Sequence, residues 1–288
     1  KIRRYNMGAK IYQNKKYIAF FLIPAFVFML IFLYYPFIQN IINSFQHIKY
    51  MGTAADKWNA PFYKNYLEIF KDPKMLIALK NTGIMIIATI VGEVGLAIVL
   101  SLLVSNIKKG AGFFRVVYFF PIVISATALG LLFNLVFLYD KGMINQLLQL
   151  IGVLDAGKNK LIDWKATYPM FTMLVPVIWQ YVGFYFIILL TGLSGIPEDL
   201  YEAAEIDGAS KLQQVRYVTL PLLRNSICTC VVLAVTGALK VFDLPWTMFV
   251  NGMSNTWLTG TYMYSKVYVD VDYSSAIAVV IVIIGVVL

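Results

Sequence analysis

The chain alternates long apolar runs with short polar connections. The first run, YIAFFLIPAFVFMLIFLYYPF, covers 17–37, and others cover 82–104, 113–138, 168–193 and 226–250. A sixth begins near 274 and is cut mid-run at 288. A helix needs about 20 apolar residues to cross a bilayer. The pattern therefore predicts an all-α membrane protein of six transmembrane helices, the last without its end. The first run is too long for a signal-peptide core and no small-x-small cleavage site follows it, so it reads as a retained anchor.

The polar connections carry patterns of their own. In NAPFYKNYLEIFKDPKM (59–75), Phe62, Tyr66, Ile69 and Phe70 share one helical face, which predicts a short helix at the membrane surface. The connection with Gly152, Asp155, Gly157 and Asp163 reads as turn-rich. Between the fourth and fifth runs stands YEAAEIDGASKLQQVRYVTLPLL, residues 201–223. Pro197 suits a first helical turn, where Glu198, Asp199 and Glu202 favour the positive end of the helix dipole. Gly208 suits a left-handed C-terminal cap, and Ser210 with Gln213 forms a capping box for a second short helix. Pro221 then opens the next span. The stretch is a helix, a glycine hinge and a helix, with Ala203 and Ala204 small enough for close docking on another protein. A solvated connecting loop is the plainer alternative.

Composition agrees with a bilayer. Of 288 residues, 60% are hydrophobic and 14% charged, against roughly 25% charged in soluble domains. The net charge of +9 is dispersed among the connections rather than gathered on one face, which argues against nucleic acid. Residues 1–16, with Lys and Arg but no acid, form a basic segment that orients the chain with its N-terminus in the cytoplasm. Arg3, Arg4, Arg115, Arg216 and Arg224 then all fall inside, whereas 38–74, 139–166 and 251–272 fall outside. Cys228 and Cys230 point to opposite helix faces, make no C-x-x-C motif and read as ordinary buried thiols. With His47 as the one histidine, the sequence argues against histidine-rich metal sites and histidine-based catalytic machinery. No G-x-x-x-x-G-K-[ST] phosphate loop occurs, so the chain is no ATPase.

The spacing Glu202-Ala203-Ala204, Gly208, Val218-x-Leu220-Pro221 resembles the EAA loop of permease subunits of binding-protein-dependent ABC importers, with valine where the family usually has isoleucine. GLAIVLSLLV, GFFRVVYFFPIVIS and ALKVFDLPWTMF resemble its carbohydrate-uptake branch, which includes the maltose and glycerol-phosphate permeases. The resemblance covers 17–288. It implies a type I importer permease in a bacterial cell membrane, whose coupling loop (198–221) docks on a cytoplasmic ATPase dimer. Glu202 would pair with a basic group there, Ala203 and Ala204 would pack, and Asp207 and Gly208 would shape the hinge. ATP and Mg would sit on that partner, with no cofactor on this chain. The other implied partners are a second permease subunit, expected to be a different chain, an extracytoplasmic solute-binding protein, a sugar and membrane lipid.

Ionisable groups inside spans are candidates for function because hydrocarbon disfavours them. Three qualify: Glu93, Lys240 and Asp243. The last two lie three apart on one predicted helical face, as a mutually satisfied pair or as part of a path. Glu93 reads first as a hydrogen-bonding link between helices, with solute contact as the alternative. Sugars need apolar platforms and fixed hydrogen-bonding groups. Trp179, Gln180, Tyr181 and Phe184 offer both, although not all can share one face. A gapless match anchored on the EAA-like loop places Val177, Gln180, Tyr181 and Phe184 at sugar-contact positions of the maltose-permease relative. It also places Ala234, Gly237, Ala238 and Val241 at fifth-span contact positions. Ser125 and Thr127 follow Pro121, whose missing donor frees a backbone carbonyl. A permease for glycerol phosphate would need cations in the path, and Lys240 is the one candidate. An ion-coupled secondary transporter would need inverted repeats with intramembrane acids, and a membrane enzyme would need clustered catalytic groups. Neither pattern stands out.

Overall fold

A computed structural model describes residues 15–105, 107, 110–154 and 161–288. Most of the basic segment, Asp155 and Gly157 lie outside the described residues. The described residues form two compact units, one from 15–68 with 266–280, the other from within 69–265 with 281–288.

In the first unit, α1 (Lys15–Asn43) is longer than its apolar run and contains a π-helical segment at Leu30–Tyr34. Strands β1 (Gln46–His47) and β2 (Lys57–Trp58) make one small antiparallel pair. Helix α2 (Lys64–Ile69) places Tyr66 against Phe45 at 5.4 Å and brings the Tyr66 hydroxyl to Ser44 at 2.7 Å. Buried Asp272 accepts from the Asn65 amide at 3.1 Å, with His47 Nδ1 at 3.7 Å. Burial and the nearby Asp272 raise the Asp270 carboxyl above its ordinary value.

The second unit is built around α8 (Pro169–Ser194). Helix α3 (Pro73–Ser105) starts well before the apolar run that marks it. The Asp72 side chain accepts from Lys74 N at 2.9 Å and Pro73 takes the first turn, so a polar cap sets the start. A π-helical segment interrupts α3 at Ile90–Gly95. The Asn81 amide donates to the Asn255 and Trp257 carbonyls at 2.8 and 3.0 Å, fixing α3 to the segment before α13 (Thr259–Lys266).

The third apolar run is not one straight helix. It forms α4 (Ala111–Val123) and α5 (Ala126–Val136), bent by 95°. Ile124 and Ser125 are extended, and the Ser125 hydroxyl caps α5 by accepting from Ala128 N at 3.1 Å. The fifth run is also divided. Helix α11 (Arg224–Lys240) ends before the extended Val241, and α12 (Asp243–Met248) begins two residues later. Between α5 and α8 the chain forms α6 (Met143–Leu150) and α7 (Trp164–Thr167). Lys165 of α7 donates to the Met248 carbonyl at 3.0 Å. Burial lowers its ammonium from the ordinary value against the opposing pull of Asp163. Helix α14 (Val271–Val287) carries the last run. Cys230 is buried, whereas Cys228 is exposed, contrary to its sequence reading. The opposite faces of α11 expected from their spacing explain the difference.

Two apolar clusters hold the second unit, and α8 contributes to both. One gathers Val94, Ala97, Phe186, Leu189, Leu223 and Ala234, and the other gathers Met85, Leu129, Met173, Val177, Ala238 and Leu244. At Gly183 α8 and α4 meet closely, since a Cβ there would lie 1.7 Å from the Tyr118 carbonyl oxygen. We expect Gly183→Ala to lower stability by about 1–3 kcal/mol, the usual scale of overpacking. Gly112→Ala, where a Cβ meets nothing within 4 Å, should not. Thermal denaturation in detergent compares the two.

Candidate functional site

The stretch between α8 and α11 folds by local rules. Helix α9 (Asp199–Ile206) carries Asp199 and Glu202 in its first turn. Its end closes with Gly208 N donating to Glu205 O at 3.0 Å and Ala209 N to Ala204 O at 2.9 Å, a Schellman pair. This closure requires the left-handed backbone of Gly208, φ +77°. Ser210 and Gln213 form both bonds of a capping box, at 2.7 and 3.4 Å. The second helix is longer than expected. α10 spans 211–222 and includes a π-helical segment at Val215–Thr219, so Pro221 lies within it rather than opening the next span. The hydroxyls of Tyr201 and Thr219, 3.1 Å apart, tie α9 to α10.

Glu202, Ala203, Asp207 and Gly208 are exposed and Ala204 is half-buried. Around them Ile206 is 86% exposed, Leu212 80% and Tyr217 68%, an unusual amount of bare apolar surface for so polar a stretch. An open cleft of about 1140 Å³ adjoins it, with Arg115, Glu202, Glu205 and Lys211 among its lining residues.

A second cavity, of about 190 Å³, lies inside the second unit. Helix α8 supplies Val177, Gln180, Tyr181 and Tyr185, α11 supplies Ala234, Gly237, Ala238 and Lys240, and α3 supplies Thr89 and Glu93. Ala126 enters from the start of α5, with Val241 to Leu244 at the α11–α12 break. Whole small-molecule sites occupy roughly 300–1,000 Å³, so this is a subsite. It sits at the seam of the apolar clusters, between Tyr185 with Ala234 on one side and Val177 with Ala238 on the other.

Of the candidates read from sequence, Gln180, Tyr181, Gly237, Lys240 and Asp243 line this cavity, whereas Trp179 and Phe184 do not. Trp179 packs edge-on against Phe133, with ring centres 5.8 Å apart, and Phe184 packs beside Tyr185 at 5.3 Å. Lys240 and Asp243 do not share a helical face, because the chain breaks between them. Among the described residues no ion pair joins them. The Gln180 amide donates to the Ile124 carbonyl at 3.2 Å, so it also serves the α4–α5 break. Glu93, in the π-helical turn of α3, is 2% exposed with no partner for Oε1. The Tyr185 hydroxyl stands beside it. Tyr185 escaped the sequence reading because it sits in an uninterrupted aromatic run with no distinguishing signal.

Several known proteins are similar. A probable ABC transporter permease protein, YurN, of Bacillus subtilis is 34% identical over 277 residues, covering 94% of this chain and 93% of the relative. The arabinooligosaccharides transport system permease protein AraP of Halalkalibacterium halodurans is 31% identical, covering 95% of this chain and 85% of the relative. The multiple sugar-binding transport system permease protein MsmF of Streptococcus mutans is also 31% identical, covering 95% and 93%. Among solved structures, a chain of a bacterial alginate ABC transporter, in complex with an alginate pentasaccharide-bound periplasmic protein, superposes with a TM-score of 0.80. It is 21% identical and covers 97% of this chain and 93% of that one. Residues 93–288 match the family described as the binding-protein-dependent transport system inner membrane component. The chain, with its apolar helices and mostly helical fold, belongs to this family of membrane transport components.

Proposed function

We propose that the chain is the permease subunit of an ATP-driven importer and forms part of the path of a sugar or oligosaccharide delivered by an extracytoplasmic binding protein. The observation that carries this reading is the 190 Å³ cavity, where small side chains of α11 face the amide, hydroxyl and ring groups of α8. An amide and two phenols can exchange hydrogen bonds with hydroxyls, while tyrosine rings offer flat apolar faces. Relatives named for arabinooligosaccharides, multiple sugars and diacetylchitobiose support the substrate class. A phosphate-bearing solute fits less well, because Lys240 shares the lining with two carboxyl side chains, Glu93 and Asp243. The partial volume suits a path completed by a second permease subunit.

In this reading α9, Gly208 and α10 face the cytoplasm and dock on the ATPase, which holds ATP and Mg. Glu202 pairs with a basic group of the ATPase, and Ala203 and Ala204 pack at the contact. The exposed Ile206, Leu212 and Tyr217 gain cover there. The N-terminus is then cytoplasmic and 139–166 extracytoplasmic.

Three outcomes test it. Gly237→Leu should cut sugar uptake at least about 10-fold without lowering the melting temperature of the complex. A Cβ at Gly237 meets one atom, the Tyr185 hydroxyl at 3.9 Å, so the larger side chain fills the cavity rather than the core. Replacing a mid-helix glycine also gains roughly 0.5–1 kcal/mol of helix propensity. Unchanged uptake would remove the cavity from the path.

Gly208→Val should leave membrane insertion intact while abolishing uptake and solute-stimulated ATP hydrolysis. No atom lies within 4 Å of the new Cβ, so the cost is backbone strain at φ +77°. Normal coupling in this variant would move the docking site elsewhere.

Finally, a cysteine at Gly110 should be labelled from the cytoplasmic side and one at Gly152 from the outside, in a background with Cys228 and Cys230 replaced. The opposite labelling would reverse the orientation and the docking face with it.

A further inference from the structure

A buried carboxyl in an apolar helix needs a partner, because hydrocarbon offers none. Glu93 is 2% exposed, and its Oε1 has no hydrogen-bond partner within the chain. If Glu93 were only a link between α3 and α8, the Tyr185 hydroxyl beside it would serve one oxygen and a second protein donor would serve the other. No such donor is present among the described residues. Lys240 lines the same cavity, but no ion pair joins it to Glu93 among the described residues.

The position of Glu93 is also built. It lies in the π-helical turn Ile90–Gly95, between two α-helical halves of α3. Such turns occur mostly as local widenings of α-helices and frequently at functional sites. Around Glu93 the lining is formed by Gln180, Tyr181, Tyr185, Ala234 and Gly237, with small side chains opposite the polar ones. The Glu93 side chain, with its incompletely paired carboxyl, therefore belongs to the wall of a space that a solute group can enter.

Resting on the importer reading above, we propose that Glu93 is a specificity-determining residue whose carboxyl accepts a hydrogen bond from one hydroxyl of the transported sugar. The Tyr185 hydroxyl holds the carboxyl in place. The sugar hydroxyl supplies the donor that the protein withholds, so a solute lacking that hydroxyl leaves a buried acceptor unpaired. Penalties of this kind discriminate more sharply than a missing methylene does.

The test uses the complete importer in proteoliposomes, with its partner permease, its ATPase and one binding protein common to every arm. Uptake is measured for a transported neutral oligosaccharide and for its monodeoxy analogues, in the wild type, Glu93→Gln and Glu93→Leu. For the parent sugar, Glu93→Leu should lose about 5- to 100-fold in uptake efficiency, the scale of leaving a buried polar group unpaired. Glu93→Gln keeps an acceptor of the same shape and should lose less. For one analogue the wild type should fall by the same factor, and Glu93→Leu should add no further loss. The binding protein's own preference cancels in the ratio between variants.

Equal losses for every analogue in Glu93→Leu would overturn the proposal and return Glu93 to a structural link. So would a Glu93→Gln loss matching that of Glu93→Leu together with a lowered melting temperature. Unchanged uptake in both variants would overturn it as well. A wild-type importer that moves no sugar but moves another solute would instead overturn the substrate class, and this proposal with it.

Discussion

The bond from the Gln180 amide to the Ile124 carbonyl, 3.2 Å long, is the interaction on which the arrangement of the second unit rests. A helix that breaks within an apolar layer frees backbone groups that no water can satisfy. Here the break follows Pro121, the Ser125 hydroxyl serves the new helix start, and Gln180 serves the carbonyl between. With both ends satisfied, α4 and α5 can turn by 95° and pack at two levels, α4 on α8 and α5 mainly on α12. Gly183 admits the Tyr118 backbone at one level, and the Tyr118 ring meets Phe186 edge-on at 5.2 Å. At the other level Gly130 of α5 faces Thr247 of α12, where a Cβ would approach the threonine Cβ to 2.9 Å.

That turn leaves a gap which the apolar clusters do not close. Large side chains fill the clusters, with Phe186 and Leu189 in one and Phe137 and Met173 in the other, while the α11 residues between them are alanine and glycine. An apolar void of this size would forfeit contacts on every side. A void lined by hydroxyl, amide and carboxyl groups can instead exchange those contacts for a polar guest. The same substitution pattern that weakens packing thus creates a place for solute.

Much of this was legible in the sequence, and the failures have physical causes. The fourth apolar run ends within a residue or so of α8, because Pro169 starts the helix where the hydropathy also begins. The start of α3 was missed because a hydropathy reading gives no weight to Asp72 and Pro73, polar and turn-forming residues that nonetheless cap the helix. The break at Ile124 had its signals, Pro121 and Ser125, but apolar continuity outweighed them. The separation of Lys240 from Asp243 had Pro245 as its one local hint. For the loop after α8, short-range chemistry sufficed: glycine conformation and the capping box need nothing beyond a few neighbouring residues. The cavity needed more, since Glu93, Gln180 and Gly237 come from three helices far apart in the chain. The gapless family match placed Val177, Gln180, Tyr181, Phe184, Ala234, Gly237, Ala238 and Val241 together, and all but Phe184 line the cavity. It could not show that Gln180 is already engaged by a backbone carbonyl.

The π-helical turn of α3 has a consequence for helical phase. Before it, the buried positions Met75, Ala78, Thr82, Met85 and Thr89 follow one stripe, and after it Val94, Ala97, Ser101 and Val104 follow another. Within the turn Glu93 and Val94 are both buried, four and five residues after Thr89, so the buried stripe widens there. One residue more or less rotates an α-helix by about 100°, so the widened turn re-aims the second half of α3 relative to a continuous α-helix. The two halves answer to different neighbours: Asn81 bonds to the segment before α13 and Thr82 to Thr259, its first residue, while Val94, Ala97 and Val104 pack with α8. The widened turn acts as a phase shifter between two surfaces, and Glu93 sits where the phase changes.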